Sequence, residues 1–430
     1  MWENALSFFD FNDANVIYVS LGTIILGAGA AVVGAFTFFR KKALIGDAIA
    51  HSILPGVCLA FILSGTKNYF LLITGAFFTG WLSIIAVDYI VKKSKIKEDT
   101  AIGLILSVFF GVGIMLLTYI QQTGNAAQTG LDSFLFGKAA SMLAQDVIIF
   151  SAISILLMIM IFLFYKELKL ITYDKDFAQS IGLPVKWIEF LLSSLTVLAV
   201  VTGIQAVGVV LMAALLITPT AAAKYWSGSL SIILILAALI GGFSGVSGAF
   251  ISYIAPNMPT GPWVVMVLSI CAIFSILFAP RKGYFSRLWQ QLKNRRQIQD
   301  ENILKAFHQI AENENSFGES KSIEKLREKR YYTIRLMKRI LKRLKRQGYL
   351  KSTKGGYFLS DYGQRKAARL VKLHRLWELY LTEYLRIAPD HVHEDADTIE
   401  HLITPELEKK LEEKLGYPEV DPHNSKIPYN

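Results

Sequence analysis

Cysteine is almost missing from this chain. Cys58 and Cys271 are the only two, and each sits inside an apolar run. They build no disulfide framework, and no Cys-x-x-Cys knuckle is present to hold zinc. No Gly-x-x-x-x-Gly-Lys-Ser/Thr sequence occurs either. The chain therefore lacks the loop that cradles nucleotide phosphates, and it is not expected to be an enzyme with its own ATPase site. Charge is scarce as well: 18% of the 430 residues are charged and 53% are hydrophobic, which excludes an ordinary soluble enzyme. Of seven histidines, only His51 precedes residue 281. Residues 1–14 are acidic rather than basic, and the apolar run after them is long enough to span a bilayer. A cleavable signal peptide is accordingly not expected.

What charge there is lies unevenly. Residues 1–280 hold 14 Lys/Arg and 13 Asp/Glu, whereas residues 281–430 hold 31 and 21. A membrane part is thus followed by a soluble part of domain size. Asn15–Phe39 has no charge and can cross about 30 Å of hydrocarbon as a helix. Ala43–Thr66 follows, interrupted only by Asp47 and His51, then Asn68–Val91, Thr100–Gln121 and Val147–Tyr165. Trp187–Ala223 reads as a tight hairpin of two short spans turning near Gly203. Tyr225–Pro280 lacks charge and is broken by an external turn at Ala255–Pro262. The count is nine spans, or eight if the hairpin is re-entrant. Lys and Arg concentrate in alternate loops: 40–42, 92–97, 166–186, Lys224 and 281–282. The opposite loops hold only Lys67 and Lys138. The basic loops are expected to be cytoplasmic, which puts the N-terminus outside and the C-terminal part in the cytoplasm.

Ionisable groups inside a span are costly and usually face a polar cavity or a partner. Asp47 and His51 are four apart, so a helix places them on one face. A carboxylate with an imidazole suits Mn, Fe or Zn better than Cu(I). Pro55 removes a backbone donor and leaves the His51 carbonyl without its usual partner. The competing reading is an Asp47–His51 pair that simply ties helices together. Cys58, beyond Pro55, reads as a buried structural residue.

The stretch Gly46-Asp-Ala-Ile-Ala-His-Ser-Ile-Leu-Pro-Gly56 resembles a signature of the permeases of metal-type ABC importers, the manganese/zinc/iron branch. Residues 173–185, Tyr-Asp-Lys-Asp-Phe-Ala-Gln-Ser-Ile-Gly-Leu-Pro-Val, resemble that family's cytoplasmic coupling segment. Residues 207–221 resemble its later conserved span, and the resemblance covers residues 15–280. It implies a bacterial cytoplasmic (inner) membrane protein with Asp47 and His51 in the metal path. It also implies coupling to the ATPase subunit through Asp174, Asp176, Phe177, Ala178, Gln179 and Gly182. The coupling segment is readable alone: Asp174 caps a short helix, Gly182 ends it and Pro184 blocks its continuation. The implied partners are a separate cytoplasmic ATPase, an extracytoplasmic metal-binding protein, a second copy or homologous permease, and membrane lipid. The implied cargo is a divalent metal, manganese first, then zinc or iron. An ion-gradient-driven secondary transporter is the rival, and it would usually show carboxylates in several spans or related repeats.

Residues 281–372 hold 25 Lys/Arg against 8 Asp/Glu, and residues 373–430 hold 6 against 13. In the basic part, 297–311 and 332–346 read as helices, and 348–359 as a hairpin around Gly355-Gly356, a winged helix-turn-helix pattern. The acidic part resembles the metal-sensing and dimerisation half of the diphtheria-toxin-repressor and manganese-repressor family. His374-Arg-Leu-Trp-Glu378, residues 391–401 and Leu407-Glu-Lys-Lys-Leu411 carry the match, with Asn424-Ser-Lys-Ile-Pro428. It implies a regulatory metal at His374, Glu378, His393, Asp397, Glu400 and His401. The family's N-terminal ligands are poorly matched: Glu301 is a counterpart, but Leu304 stands where a second acid is expected. Tethering to the membrane argues against routine operator search, so DNA is a partner only for a released tail.

The expected architecture is an all-α polytopic membrane protein of eight or nine transmembrane helices in residues 1–280. A winged-helix-like region follows over 281–372, and a helical metal-sensor-like region over 373–430, both cytoplasmic.

Overall fold

Hydrocarbon offers no hydrogen-bond partners, so the apolar runs must satisfy their own backbone, and they do so as helices. The computed structural model describes residues 7–10, 13–42, 44–66, 68–122, 137, 142–255, 259–353, 355–387, 399 and 403–429. The chain divides into two compact units, Met1–Arg287 and Leu288–Asn430.

The first unit begins with α1, Ala14–Phe39, capped by the Asp13 side chain, which accepts from the Asn15 amide at 2.9 Å. Next come α2, Ile45–Ser52, and α3, Leu54–Ser64, two halves of one span. Then follow α4, Tyr69–Lys93; α5, Glu98–Gln122; α6, Ala144–Leu163; and two short helices, α7, Tyr165–Tyr173, and α8, Lys175–Ser180. The unit continues with α9, Val185–Val207; α10, Val209–Trp226; α11, Leu230–Ile254; and α12, Thr260–Phe278. Among the described residues, eight helices are long and apolar enough to cross a membrane, with α2 and α3 counted together. The 18-residue α10 packs among them.

The hairpin expected over 187–223 is formed by α9, one of the eight candidate spans, and α10, which is not among them, and the two meet at Gly208, not at Gly203. Gly208 has φ 90° and ψ 163°, a conformation that side-chain-bearing residues rarely adopt. Gly203 stays helical and serves contact instead: a β-carbon there would lie 2.2 Å from the Met212 sulfur. Glycine also sets the crossing of α1 and α11. A β-carbon on Gly27 would sit 2.5 Å from the Gly241 carbonyl oxygen, and one on Gly241 would sit 2.3 Å from that of Gly27. Lipid tails are as apolar as leucine, so close backbone approach of this kind is what holds such helices together.

The second unit contains most of α13, Tyr284–Asn313, then α14, Ile323–Lys329, and α15, Ile334–Arg346. A hairpin of β1, Leu350–Thr353, and β2, Gly356–Leu359, pairs antiparallel from Leu350↔Leu359 to Thr353↔Gly356. Helices α16, Asp361–Tyr384, and α17, Pro405–Leu415, complete it. Ile303, Leu304, Phe307, Leu326, Ile340, Leu344, Leu350 and Leu370 form one core, and Leu376, Leu411 and Ile427 a smaller one. The hairpin stands where the sequence put it. The short α14 was not anticipated, and α16 runs unbroken through residue 372. An ionic clasp joins α16 to α17: Glu408 contacts Arg369 and Lys372, each at 2.7 Å, and Lys372 also contacts Glu412 at 2.7 Å. Burial alone would raise the Glu408 carboxyl, but hydrogen bonds from Arg369 and Lys372 outweigh it and hold it below the usual range.

Candidate metal path and regulatory site

Helix α2 is almost wholly enclosed. Ile45, Gly46, Ala48, Ile49, Ala50 and Ser52 are buried. Only Asp47 and His51 reach its surface, their side chains 38% and 22% exposed. The i,i+4 spacing brings His51 Nε2 to 3.5 Å from Asp47 Oδ1. The imidazole stands edge-on to Phe110 of α5, ring centres 5.2 Å apart. Its other nitrogen, Nδ1, is buried without a hydrogen-bond partner among the described residues. An unsatisfied polar atom of this kind is costly and calls for a ligand, water or second chain. The pair therefore offers one carboxylate and one imidazole nitrogen along a single stripe.

Pro55 acts as the sequence suggested. The helical hydrogen bonding is interrupted after Ser52, while Ile53 keeps helical angles of φ −74° and ψ −32°, so the axis continues into α3. The Thr79 hydroxyl of α4 donates to the Ile53 carbonyl at 3.4 Å. Close packing of Gly56 against Gly75 brings α4 near this loosened turn, where any β-carbon would meet backbone. Cys58 is fully buried in the core.

The expected coupling segment is α8. Asp174 accepts from the Phe177 amide at 2.8 Å, Gly182 adopts φ 81°, and Pro184 leads into α9. Asp174, Asp176, Phe177, Gln179 and Gly182 are exposed, whereas Ala178 is buried and anchors the helix on the core. Phe177 and Ile181, each more than half exposed, leave two apolar side chains uncovered.

Sequence reasoning missed the ionic cluster that ties α8 to the spans. Lys175 of α8 lies 2.9 Å from Glu189 of α9, and Arg40 at the end of α1 pairs with the same carboxylate. Lys42, just before α2, reaches Asp88 of α4 and Glu98 of α5, both at 3.3 Å. These groups line a cavity of about 370 Å³. The signal was present in two acids, Asp88 and Glu189, within otherwise uncharged runs, each matched by a cation at a span end.

In the second unit, His374 and Glu378 sit one turn apart on α16, 6% and 1% exposed. His374 Nε2 lies 2.8 Å from Glu378 Oε1, and its Nδ1 lies 3.1 Å from the Lys305 ammonium of α13. Glu301 is engaged by Lys366 at 3.1 Å and by the Gln297 amide at 3.2 Å, while Leu304 is buried in the apolar core. His393, Asp397, Glu400 and His401 lie outside the described residues. Among the described residues, no three His, Cys, Asp or Glu gather into a metal-sized group.

Comparison with known proteins agrees with both halves. The profile described as the ABC 3 transport family matches residues 12–279. That of the iron dependent repressor, metal binding and dimerisation domain, matches residues 360–429. The chain is 41% identical over 375 residues to the manganese transport system membrane protein MntC of Bacillus subtilis, covering 87% of this chain and 86% of the relative. It is 43% identical over 281 residues to the zinc transport system membrane protein TroC of Treponema pallidum, covering 65% and 94%. The solved structure of PsaBC from Streptococcus pneumoniae in complex with Fab is similar at a TM-score of 0.59 and 33% identity, covering 65% of this chain and 98% of that one. A membrane-spanning helical unit, a buried helix exposing one Asp–His stripe, and a repressor-like C-terminal part therefore meet in a chain that belongs to the ABC 3 transport family.

Proposed function

We propose that this chain is the permease subunit of an importer that carries a divalent transition metal, manganese first and zinc or iron next, into the cytoplasm. The observation that carries the reading is the Asp47–His51 stripe, the only surface that α2 leaves open. Imidazole and carboxylate donors suit these borderline and harder ions. The relatives named for manganese and zinc transport support the same cargo class. Two protomers facing one another bring two such pairs together, enough for a four-ligand site. In this reading residues 1–280 translocate, 281–372 form the winged region, and 373–430 sense metal through His374, Glu378, His393, Asp397, Glu400 and His401. The charge asymmetry of the loops supports an external N-terminus and a cytoplasmic tail. Lipid contact is supported by the start of α13. Tyr284, Phe285, Leu288, Trp289 and Leu292 are exposed there, and residues 281–296 carry six cations and no acid, a composition suited to anionic headgroups.

Uptake by the complex with its ATPase subunit, reconstituted in vesicles, tests the whole reading. Radiolabelled Mn(II) should accumulate only with ATP inside the compartment that holds the ATPase. Accumulation driven by an ion gradient without ATP would favour a secondary transporter instead. The coupling role is tested separately. A cysteine at Gln179 should crosslink to the ATPase subunit, while one at the buried Ala178 should not. Labelling of Gln179→Cys from outside intact cells would overturn the orientation.

A further inference from the structure

We infer that Lys305 is a built-in cation that occupies the sensing cluster in place of a metal, so that a divalent ion binds His374 only by displacing it. The inference rests on the reading of the tail as a metal sensor and specifies how metal gains entry. Lys305 lies on α13 between core residues Leu304 and Ala306 and is only 1% exposed. A buried ammonium is costly unless partnered. Its Nζ stands 3.1 Å from His374 Nδ1, and His374 Nε2 stands 2.8 Å from Glu378 Oε1. Lys305, His374 and Glu378 therefore form a chain of polar contacts reaching from α13 to α16.

The donor and acceptor roles in that chain are fixed by chemistry. An ammonium has donors and no acceptor, so Nδ1 must accept from Lys305. A neutral imidazole that accepts at Nδ1 carries its proton on Nε2, the nitrogen that stands 2.8 Å from Glu378 Oε1. Metal ligation needs a ring lone pair, and the one lone pair of this tautomer already faces Lys305. A metal approaching Nδ1 meets the ammonium; one approaching Nε2 must break the contact with Glu378. The charge logic agrees. Glu378 is 1% exposed, and the Lys305 cation lies one imidazole away, where its charge offsets that of the buried carboxylate. Glu301, four residues before Lys305 on α13, is held by Lys366 at 3.1 Å.

The consequence is a raised threshold. When a site must first expel an internal occupant, its apparent affinity falls by the fraction of time the site stands open. A sensor built this way stays silent at ordinary metal levels and answers only to a surplus, which is the response a brake on uptake requires.

The test uses the full-length chain in nanodiscs, carrying Asp47→Asn and His51→Ala so that the membrane stripe does not contribute. Loss of the aqueous Mn(II) electron-paramagnetic signal reports binding directly. Lys305→Met, which keeps the bulk and removes the charge, should bind Mn(II) roughly tenfold to a hundredfold more tightly than Lys305 itself. Lys305→Arg should remain weak, and adding Glu378→Gln to Lys305→Met should remove the gain. Equal, Glu378-dependent affinity in Lys305 and Lys305→Met would overturn the inference while leaving the sensor standing. Absence of binding in every variant would overturn the sensor itself. A second measurement needs no substitution at Lys305. Acylation of Lys305 followed by mass spectrometry should be slow without metal and faster once Mn(II) saturates the tail. Unchanged acylation at saturating Mn(II) would overturn the displacement.

Discussion

Asp47→Asn and His51→Ala should each reduce metal uptake to about a hundredth or less, with the chain still inserted, folded and bound to its ATPase partner. The size of the expected loss follows from what the pair can and cannot do structurally. A half-exposed His–Asp contact contributes about 0–1 kcal/mol to stability, and here the two atoms are 3.5 Å apart with side chains 22% and 38% exposed. The helix is held instead by its six buried residues and by the packing of Ile49, Ile53 and Leu54 in the core. A purely structural pair therefore predicts small changes in thermal stability and nearly normal uptake. A ligand pair predicts the opposite: a carboxamide keeps the shape of Asp47 but lacks its charge, and alanine removes the imidazole altogether. His51→Gln is an informative third variant, since it fills the space beside Phe110 without restoring an imidazole nitrogen. Uptake near normal in both Asp47→Asn and His51→Ala, measured at equal amounts of assembled complex, would remove the stripe from the metal path. A loss of folded protein that parallels the loss of uptake would favour the helix-tying role.

How much of this could be read from residues alone differs from feature to feature. The spans were legible because bilayer thickness turns run length into a count, and the Asp–His stripe because two ionisable groups stand out in an apolar run. The caps of α8 were legible because Asp174, Gly182 and Pro184 each act within a few residues. The break at Gly208 was not, because Gly203 and Gly208 look alike in sequence. What separates them is a neighbour: Met212 packs on Gly203, while Gly208 takes the positive φ. The clasp of Arg40, Lys175 and Glu189 spans 149 residues of sequence, and no local periodicity reports such a distance. Lys305 was hidden for a related reason. A lysine in a charged helix is normally a solvated one, and only the packing of α16 against α13 turns this one inward. The poor N-terminal match that Leu304 suggested is explained by the same packing, since Leu304 belongs to the apolar core.

Removal of residues 288–430 should leave initial uptake within about twofold of the intact chain yet abolish its self-limitation when internal metal rises. The cut falls where the chain divides into its two compact units, so the core of the first unit loses no residue. Of the core clusters, those built from Ile303–Leu370 and from Leu376–Ile427 belong to the removed part, and those around Val19–Leu268 remain. Energetically the truncation thus resembles loss of a domain more than a wound in a core, and packing penalties of several kcal/mol for core truncation do not apply. The regulatory effect is expected to be large because a sensor acts by differential binding. Metal that binds the tail better in its inhibiting arrangement shifts the population by that affinity ratio, and roughly 5.5 kcal/mol of preference carries a 1:99 equilibrium to 99:1. With the tail gone the shift is zero at any metal concentration. Uptake traces at low and high internal Mn(II) should therefore coincide for the truncated chain and diverge for the intact one. Glu378→Ala should reproduce the loss of divergence, since it removes a buried carboxylate from the sensing cluster. Divergence that survives truncation would place the control elsewhere, in the ATPase subunit or the permease itself. The exposed basic face of α15, with Arg335, Lys338, Arg339 and Lys342 turned outward, gives the remaining alternative. If the freed 288–430 segment binds duplex DNA in a metal-dependent and sequence-selective way, and truncation leaves uptake control intact, the tail is a released repressor and not a brake on transport.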